Sequence, residues 1–230
     1  MRAPMSALVL LAAAAQAEAG PWPREQGAIF LSISSTLSTG AQTLLAPMTD
    51  IRTASQVFAE YGLSDDWTFG LDALHATGDD APLAAGLVSL RRPVWRGDGG
   101  GIAAAELGLG ILEDADGTEA RVRPGLSWGR GFESTRGGGW LGVESSLEFR
   151  LPSGDTAFKA DFTAGLKPTD RWMLIGQVQT GLYPDADPIV RLAPSVVRRL
   201  GDSTHAQLGL LGGLAGDDAV GVKLALWFSF

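Results

Sequence analysis

Val220-Gly221-Val222-Lys223-Leu224-Ala225-Leu226-Trp227-Phe228-Ser229-Phe230 ends the chain, and its alternate positions separate by polarity. Val220, Val222, Leu224, Leu226, Phe228 and Phe230 are apolar, whereas the interleaved set is Gly221, Lys223, Ala225, Trp227 and Ser229. Side chains repeat every two residues in an extended strand. This strand is long for a soluble protein and carries a cation on its second face. It stops on an aromatic residue that is also the C-terminal carboxylate.

The same pattern recurs through the chain. Strands are expected over residues 27–37, 51–63, 67–73, 83–95, 103–111, 119–129, 141–151, 158–167, 171–183, 188–200 and 204–214, with 220–230 the twelfth. The seventh sets Leu141, Val143, Leu147, Phe149 and Leu151 against Glu144, Glu148 and Arg150. The fourth, tenth and eleventh are weakly patterned, which leaves ten or fourteen strands as neighbouring solutions. Pro124 and Pro194 lie inside expected strands and predict bulges. An even number of antiparallel strands closes with both termini on one side. The expected fold class is therefore all-β, a closed antiparallel transmembrane β-barrel of about twelve strands. Closure removes the edges that lipid cannot satisfy. A soluble sandwich would need a second apolar layer, and the pattern supplies none.

Composition narrows the function. Across 230 residues the net charge is −8, which argues against nucleic acid as a partner. With 31 Gly, 19% charged residues and a mean hydropathy of +0.11, the chain is too apolar for disorder and too interrupted for helical spans. It has no Cys, so a lipid-anchored cysteine, a disulfide framework and thiolate chemistry are all excluded. At the N-terminus, Arg2, an apolar run over residues 6–15 and Ala17-Glu18-Ala19 predict a signal peptide over residues 1–19. Residues 20–26, with Pro21 and Pro23, read as an extended leader, and residues 27–230 as the barrel.

A terminal strand ending in Phe230 resembles the outer-membrane β-barrels of Gram-negative bacteria, whose last strand ends in Phe or Trp. That resemblance implies that Phe228 and Phe230 are read by the barrel assembly machinery. Tyr61-Gly62-Leu63-Ser64-Asp65-Asp66-Trp67-Thr68-Phe69-Gly70 is similar to the strand-turn-strand unit of several such families. They include the transporter barrels grouped with a phenol-degradation pathway. Gly165-Leu166-Lys167-Pro168-Thr169-Asp170-Arg171-Trp172 repeats it in part. The resemblance implies an outer-membrane location with membrane lipid and lipopolysaccharide as neighbours, and leaves the substrate open.

In that orientation the connections at 64–66, 96–101, 130–139, 168–171 and 201–203 are periplasmic. Trp67, Trp95, Trp128, Trp140, Trp172 and Trp227 then fall at periplasmic strand ends, as an aromatic girdle requires. The opposite connections carry Asp79, Asp80, Glu113, Asp114, Asp116, Asp155, Asp185, Asp187, Asp217 and Asp218, an acidic outer rim. Solvated loop tips explain it, and attraction of cations shared with lipopolysaccharide would add a role.

The second face of the strands supplies the lumen candidates. They are Arg52, Glu60, Asp72, Glu106, Arg121, Arg123, Glu144, Glu148, Arg150, Lys159, Asp161, Arg191 and Lys223. Opposite charges on neighbouring strands should pair. Such a lattice either fills the lumen or lines a narrow wet pore. No connection is long enough to be a substantial plug, and the leader is short. The expected function is passive or weakly selective passage of small solutes. A non-conducting structural barrel is the first alternative.

Catalytic signals are thin. Gly125-Leu126-Ser127-Trp128-Gly129 matches a nucleophile elbow, but no helical pattern follows it. The two histidines, His75 and His205, lie near opposite membrane faces, about 20 to 25 Å apart, too far to share a metal. In a simple register His75 faces lipid beside Ser55, the placement of a Ser–His pair in outer-membrane lipid hydrolases, and this is the second alternative. No acid is evident to orient the imidazole. No cofactor or metal site is expected.

Overall fold

The computed structural model describes residues 20–41, 51–78 and 82–230. The expected signal peptide at 1–19, the connection over 42–50, and Asp79 and Asp80 of the acidic rim lie outside the described residues.

Among the described residues, thirteen strand segments follow one another along the chain. They are β1 (Ile29–Gly40), β2 (Arg52–Gly62), β3 (Thr68–Thr77), β4 (Leu83–Arg96), β5 (Gly101–Asp114), β6 (Gly117–Ser134), β7 (Gly137–Leu151), β8 (Thr156–Thr169), β9 (Trp172–Leu182), β10 (Ile189–Leu192), β11 (Ser195–Arg199), β12 (Thr204–Ala215) and β13 (Ala219–Ser229). Each pairs antiparallel with its neighbours, and β13 pairs with β1, which closes the wall. β10 and β11 both lie between β9 and β12, so they are two halves of one strand and the barrel has twelve positions. Closure is sealed at the last residue, where Phe230 and Ile29 exchange backbone hydrogen bonds of 2.9 and 3.0 Å.

Alternation in the sequence becomes inside and outside. In β13, Val222, Leu224 and Leu226 face outward at 42%, 59% and 45% exposure, while Lys223, Ala225 and Trp227 face inward at 4%, 6% and 1%. Closure leaves the sheet no free edge for lipid to meet. The outward belt includes Ile33, Leu71, Leu109, Leu126, Leu174 and Leu210.

Several expectations need correction. Residues 130–139 are not a connection. β6 and β7 run through them as a hairpin whose turn is Thr135 and Arg136. Glycines do not break the strand here because rings take their space: a Cβ on Gly139 would overlap the Phe132 ring. Pro124 makes no bulge. The register to β7 is the same on both sides of it, Val122↔Phe149 and Gly125↔Ser146, although Arg123 and Pro124 drop out of that ladder. Pro has no N–H to give, and the ladder skips it without shifting. Pro194 interrupts its strand but leaves the pairing with β9 in phase. The register shifts fall instead at Pro93/Trp95, Leu166/Thr169 and Val190/Arg191.

Candidate functional site: a charged lumen

The interior is built in layers. At the end of the barrel where β1 begins and β13 ends, Phe30, Phe58, Met173, Ile175, Val197, Ala225 and Trp227 form a buried apolar cluster, with Trp140 packed against it. Phe30 meets Phe58 and Trp227 edge-on at 6.3 and 6.1 Å between ring centroids. These residues come from β1, β2, β7, β9, β11 and β13, so the cluster reaches across the bore. At the other end a smaller apolar group gathers Ala54, Leu74, Ala76, Leu83, Leu112 and Leu211. The charges lie between.

Arg91 is the hub of the charged layer. It reaches Glu60 at 2.6 Å and Glu106 at 3.9 Å, and Glu106 in turn meets Arg123 at 3.6 Å. A second group sets Glu148 between Arg121 and Arg150, each at 3.1 Å. Arg191 pairs with Asp217. The predicted pairing across strands is therefore met for Glu106 with Arg123 and for Glu148 with Arg121. Asp72 accepts a hydrogen bond from Gln56 at 2.7 Å and lies within electrostatic reach of Lys223 and Arg121 without an ion-pair contact to either. Glu144 stands opposite Asp161 in the β7–β8 ladder, two carboxylates side by side. Lys223 and Arg52 face the lumen with the Lys223 ammonium and the Arg52 Nε unpartnered among the described residues. Lys159, Asp161, Glu144, Arg123, Arg91 and Ser127 border a cavity of about 70 Å³, room for a few water molecules.

Three participants escaped the sequence reading. Arg91 and Arg92 are adjacent, so they point to opposite faces. The parity of Leu87 and Ser89, both buried, assigns Arg91 to the lumen. Asp217 was assigned only to the acidic rim. The third is the leader, expected to be too short to matter. Residues 20–24 of the leader enter the bore, and Glu25 and Gln26 are exposed at its mouth. The Arg24 guanidinium donates to Glu60 at 2.6 Å and lies 4.6 Å from the Phe30 ring centre, and its backbone N–H donates to Thr68 Oγ1 at 2.9 Å. Arg91 donates to the Trp22 carbonyl at 3.4 Å. Pro21 is fully buried, and a Cβ on Gly129 of β6 would clash with the Pro21 and Trp22 rings.

The tryptophans divide. Trp67, Trp95, Trp128 and Trp172 face outward at 38%, 52%, 38% and 42% exposure. Arg92 lies over Trp67 and Arg198 over Trp172, at 5.0 and 5.4 Å. Trp227 and Trp140 correct the girdle. Both sit on inward positions, Trp227 at 1% exposure and Trp140 against the apolar cluster, because they share parity with Lys223 and Glu144. Phe228 and Phe230 face outward and stack, with centroids 6.4 Å apart. On the outer wall Ser55 pairs with His75 and also with Ser35, and the next position after His75 is Ala84. The row continues past Ala84 to Glu113, so the carboxylate on it is separated from His75 by one whole strand position.

No family model matches the chain, and no curated protein matches it. Solved structures do. The COG4313 outer-membrane channel from Pseudomonas putida F1 superposes with a TM-score of 0.60 at 12% identity, covering 90% of this chain and 97% of that one. The KdgM porin, solved with disordered oligogalacturonate, gives 0.59 at 6% identity, covering 86% and 99%. The NanC porin gives 0.56 at 10% identity, covering 86% and 98%. At these identities the likeness is one of fold. A closed twelve-position barrel, apolar outside and charged inside, has the architecture of the outer-membrane porins and channels and is an outer-membrane protein.

Proposed function

We propose that the barrel is a narrow conduit through which small hydrophilic solutes cross the outer membrane. The carrying observation is the charged layer, with Arg91 between Glu60 and Glu106, and Arg123 beyond. A barrel kept only as a wall anchor gains nothing from such a network, since apolar side chains of similar volume fill an interior at no greater cost. Charges facing a wet cavity hold water and select among solutes by field as well as size. The apolar cluster and the leader leave little room, so passage is slow and size-limited. Phe228 and Phe230 are assigned to recognition during assembly, and the outward tryptophans to the periplasmic headgroup level. The test is a planar lipid bilayer with refolded protein, intact and with residues 20–25 removed. Reproducible unitary steps from either form support a conduit. Silence from both, with folding verified by heat-modifiable mobility, contradicts it.

A further inference from the structure

We propose that residues 20–26 are a displaceable plug that closes the periplasmic mouth of the barrel, latched by Arg24 on Glu60. The proposal rests on the conduit reading and adds its regulation.

The segment is shaped for this place. Pro21 and Pro23 hold the backbone extended and remove two N–H donors that a narrow bore would have to satisfy. Its contacts lie on separate walls. Arg24 meets Glu60 on β2 and Thr68 on β3, whereas Pro21 and Trp22 press on Gly129 of β6, four positions from β2 in a wall of twelve. A chain held at both places crosses the opening. It enters through a turn at Gln26 and Gly27, where Gly27 has φ +83 and its N–H donates to the Gly62 carbonyl at 2.8 Å. Gly62 faces the Glu25 carbonyl so closely that a Cβ there could not fit. Gly27 and Gly62 together form the hinge.

The latch can also open. Glu60 is held by two arginines, Arg24 on one carboxylate oxygen and Arg91 on the other, both at 2.6 Å. When Arg24 leaves, Glu60 keeps Arg91 and no buried charge is orphaned. That removes the penalty that makes most buried ion pairs permanent. The contacts that hold the leader include the Arg24–Glu60 ion pair, the Phe30 cation–π contact, hydrogen bonds at the Arg24 N–H and the Trp22 carbonyl, and the packing of Pro21 and Trp22 at Gly129. Contacts of this strength suffice because the tether keeps the leader at high local concentration. They are weak enough for the two states to exchange.

The experiment compares single-channel currents of the intact chain, a chain lacking residues 20–25, and Arg24→Glu, each verified as folded by heat-modifiable mobility. Arg24→Glu keeps the leader's length and sets a carboxylate against Glu60. The expected result is a several-fold rise in open probability or unitary conductance for both altered chains. A lock completes the test. The chain has no cysteine, and the Arg24 backbone N lies 2.9 Å from Thr68 Oγ1. Arg24→Cys with Thr68→Cys should therefore cross-link on oxidation, silence the current and recover it on reduction. Equal currents in intact and leader-deleted chains would overturn the plug while leaving the conduit standing. Silence in every folded form would overturn both. Failure of the cysteine pair to cross-link would overturn the leader's placement.

Discussion

Arg91 carries more of the lumen than any other residue. It joins Glu60 to Glu106 and also holds the Trp22 carbonyl. Arg91→Met should cost about 1 to 3 kcal/mol, because it removes a buried charged hydrogen bond to Glu60 and the donor to the Trp22 carbonyl while Glu60 keeps Arg24 and Glu106 keeps Arg123; Arg92→Met on the outer face should cost under about 1 kcal/mol. Urea midpoints in lipid vesicles measure the difference, and equal shifts would contradict the hub. The neighbouring Glu144 and Asp161 oppose each other as like charges. Glu144→Gln should leave stability unchanged or raise it by about 0.2 to 1 kcal/mol. A lower midpoint would contradict the repulsion and show that attraction of Glu144 to Arg91 outweighs it. At this scale the sequence was half legible. Glu106, Arg121, Arg123 and Glu148 could be read from alternation alone, since each sits among clear neighbours. Arg91 could not, because Arg91-Arg92-Pro93 hides the parity. Arg24 could not, because a leader has no parity to read.

Element by element, the period of two placed the twelve strands among the described residues, although it cut β6 and β7 short at 130–139, and it did not say which interior is apolar. Phe30 and Phe58 share the face of Ser32 and Gln56, and only the closing of the wall brings them to Trp227. Trp227 and Trp140 sit at strand ends, where position along the strand suggested a girdle. Parity decided otherwise. The two kinds of tryptophan should respond differently. Trp227→Ala empties a packed site and should cost about 3 to 5 kcal/mol, while Trp172→Ala, on the outer face, should cost markedly less. Equilibrium unfolding in vesicles reads both, and a larger loss for Trp172 would contradict the inward assignment. In the same strand as Trp227, Leu224 lies midway and outward at 59% exposure. Leu224→Arg should cost about 2 to 4 kcal/mol. Normal assembly and an unchanged midpoint would reverse inside and outside.

For the whole molecule, three layers meet in one bore. An apolar cluster with the leader occupies the end where β1 begins and β13 ends, paired charges the middle, and a small apolar group with Arg191 and Asp217 the opposite end. Ring closure from β13 to β1 is what turns a list of alternating residues into that arrangement, so neither the cross-bore cluster nor the leader's seat was visible before the wall closed. A bore so filled should discriminate steeply by size. Swelling of proteoliposomes in isotonic solutions of neutral solutes, from glycerol upward to disaccharides, measures this. The chain lacking residues 20–25 should swell vesicles in the smallest solutes, with rates falling sharply as size increases. Rates no greater than those of empty vesicles for every solute, with the barrel folded, would mean that nothing passes through it.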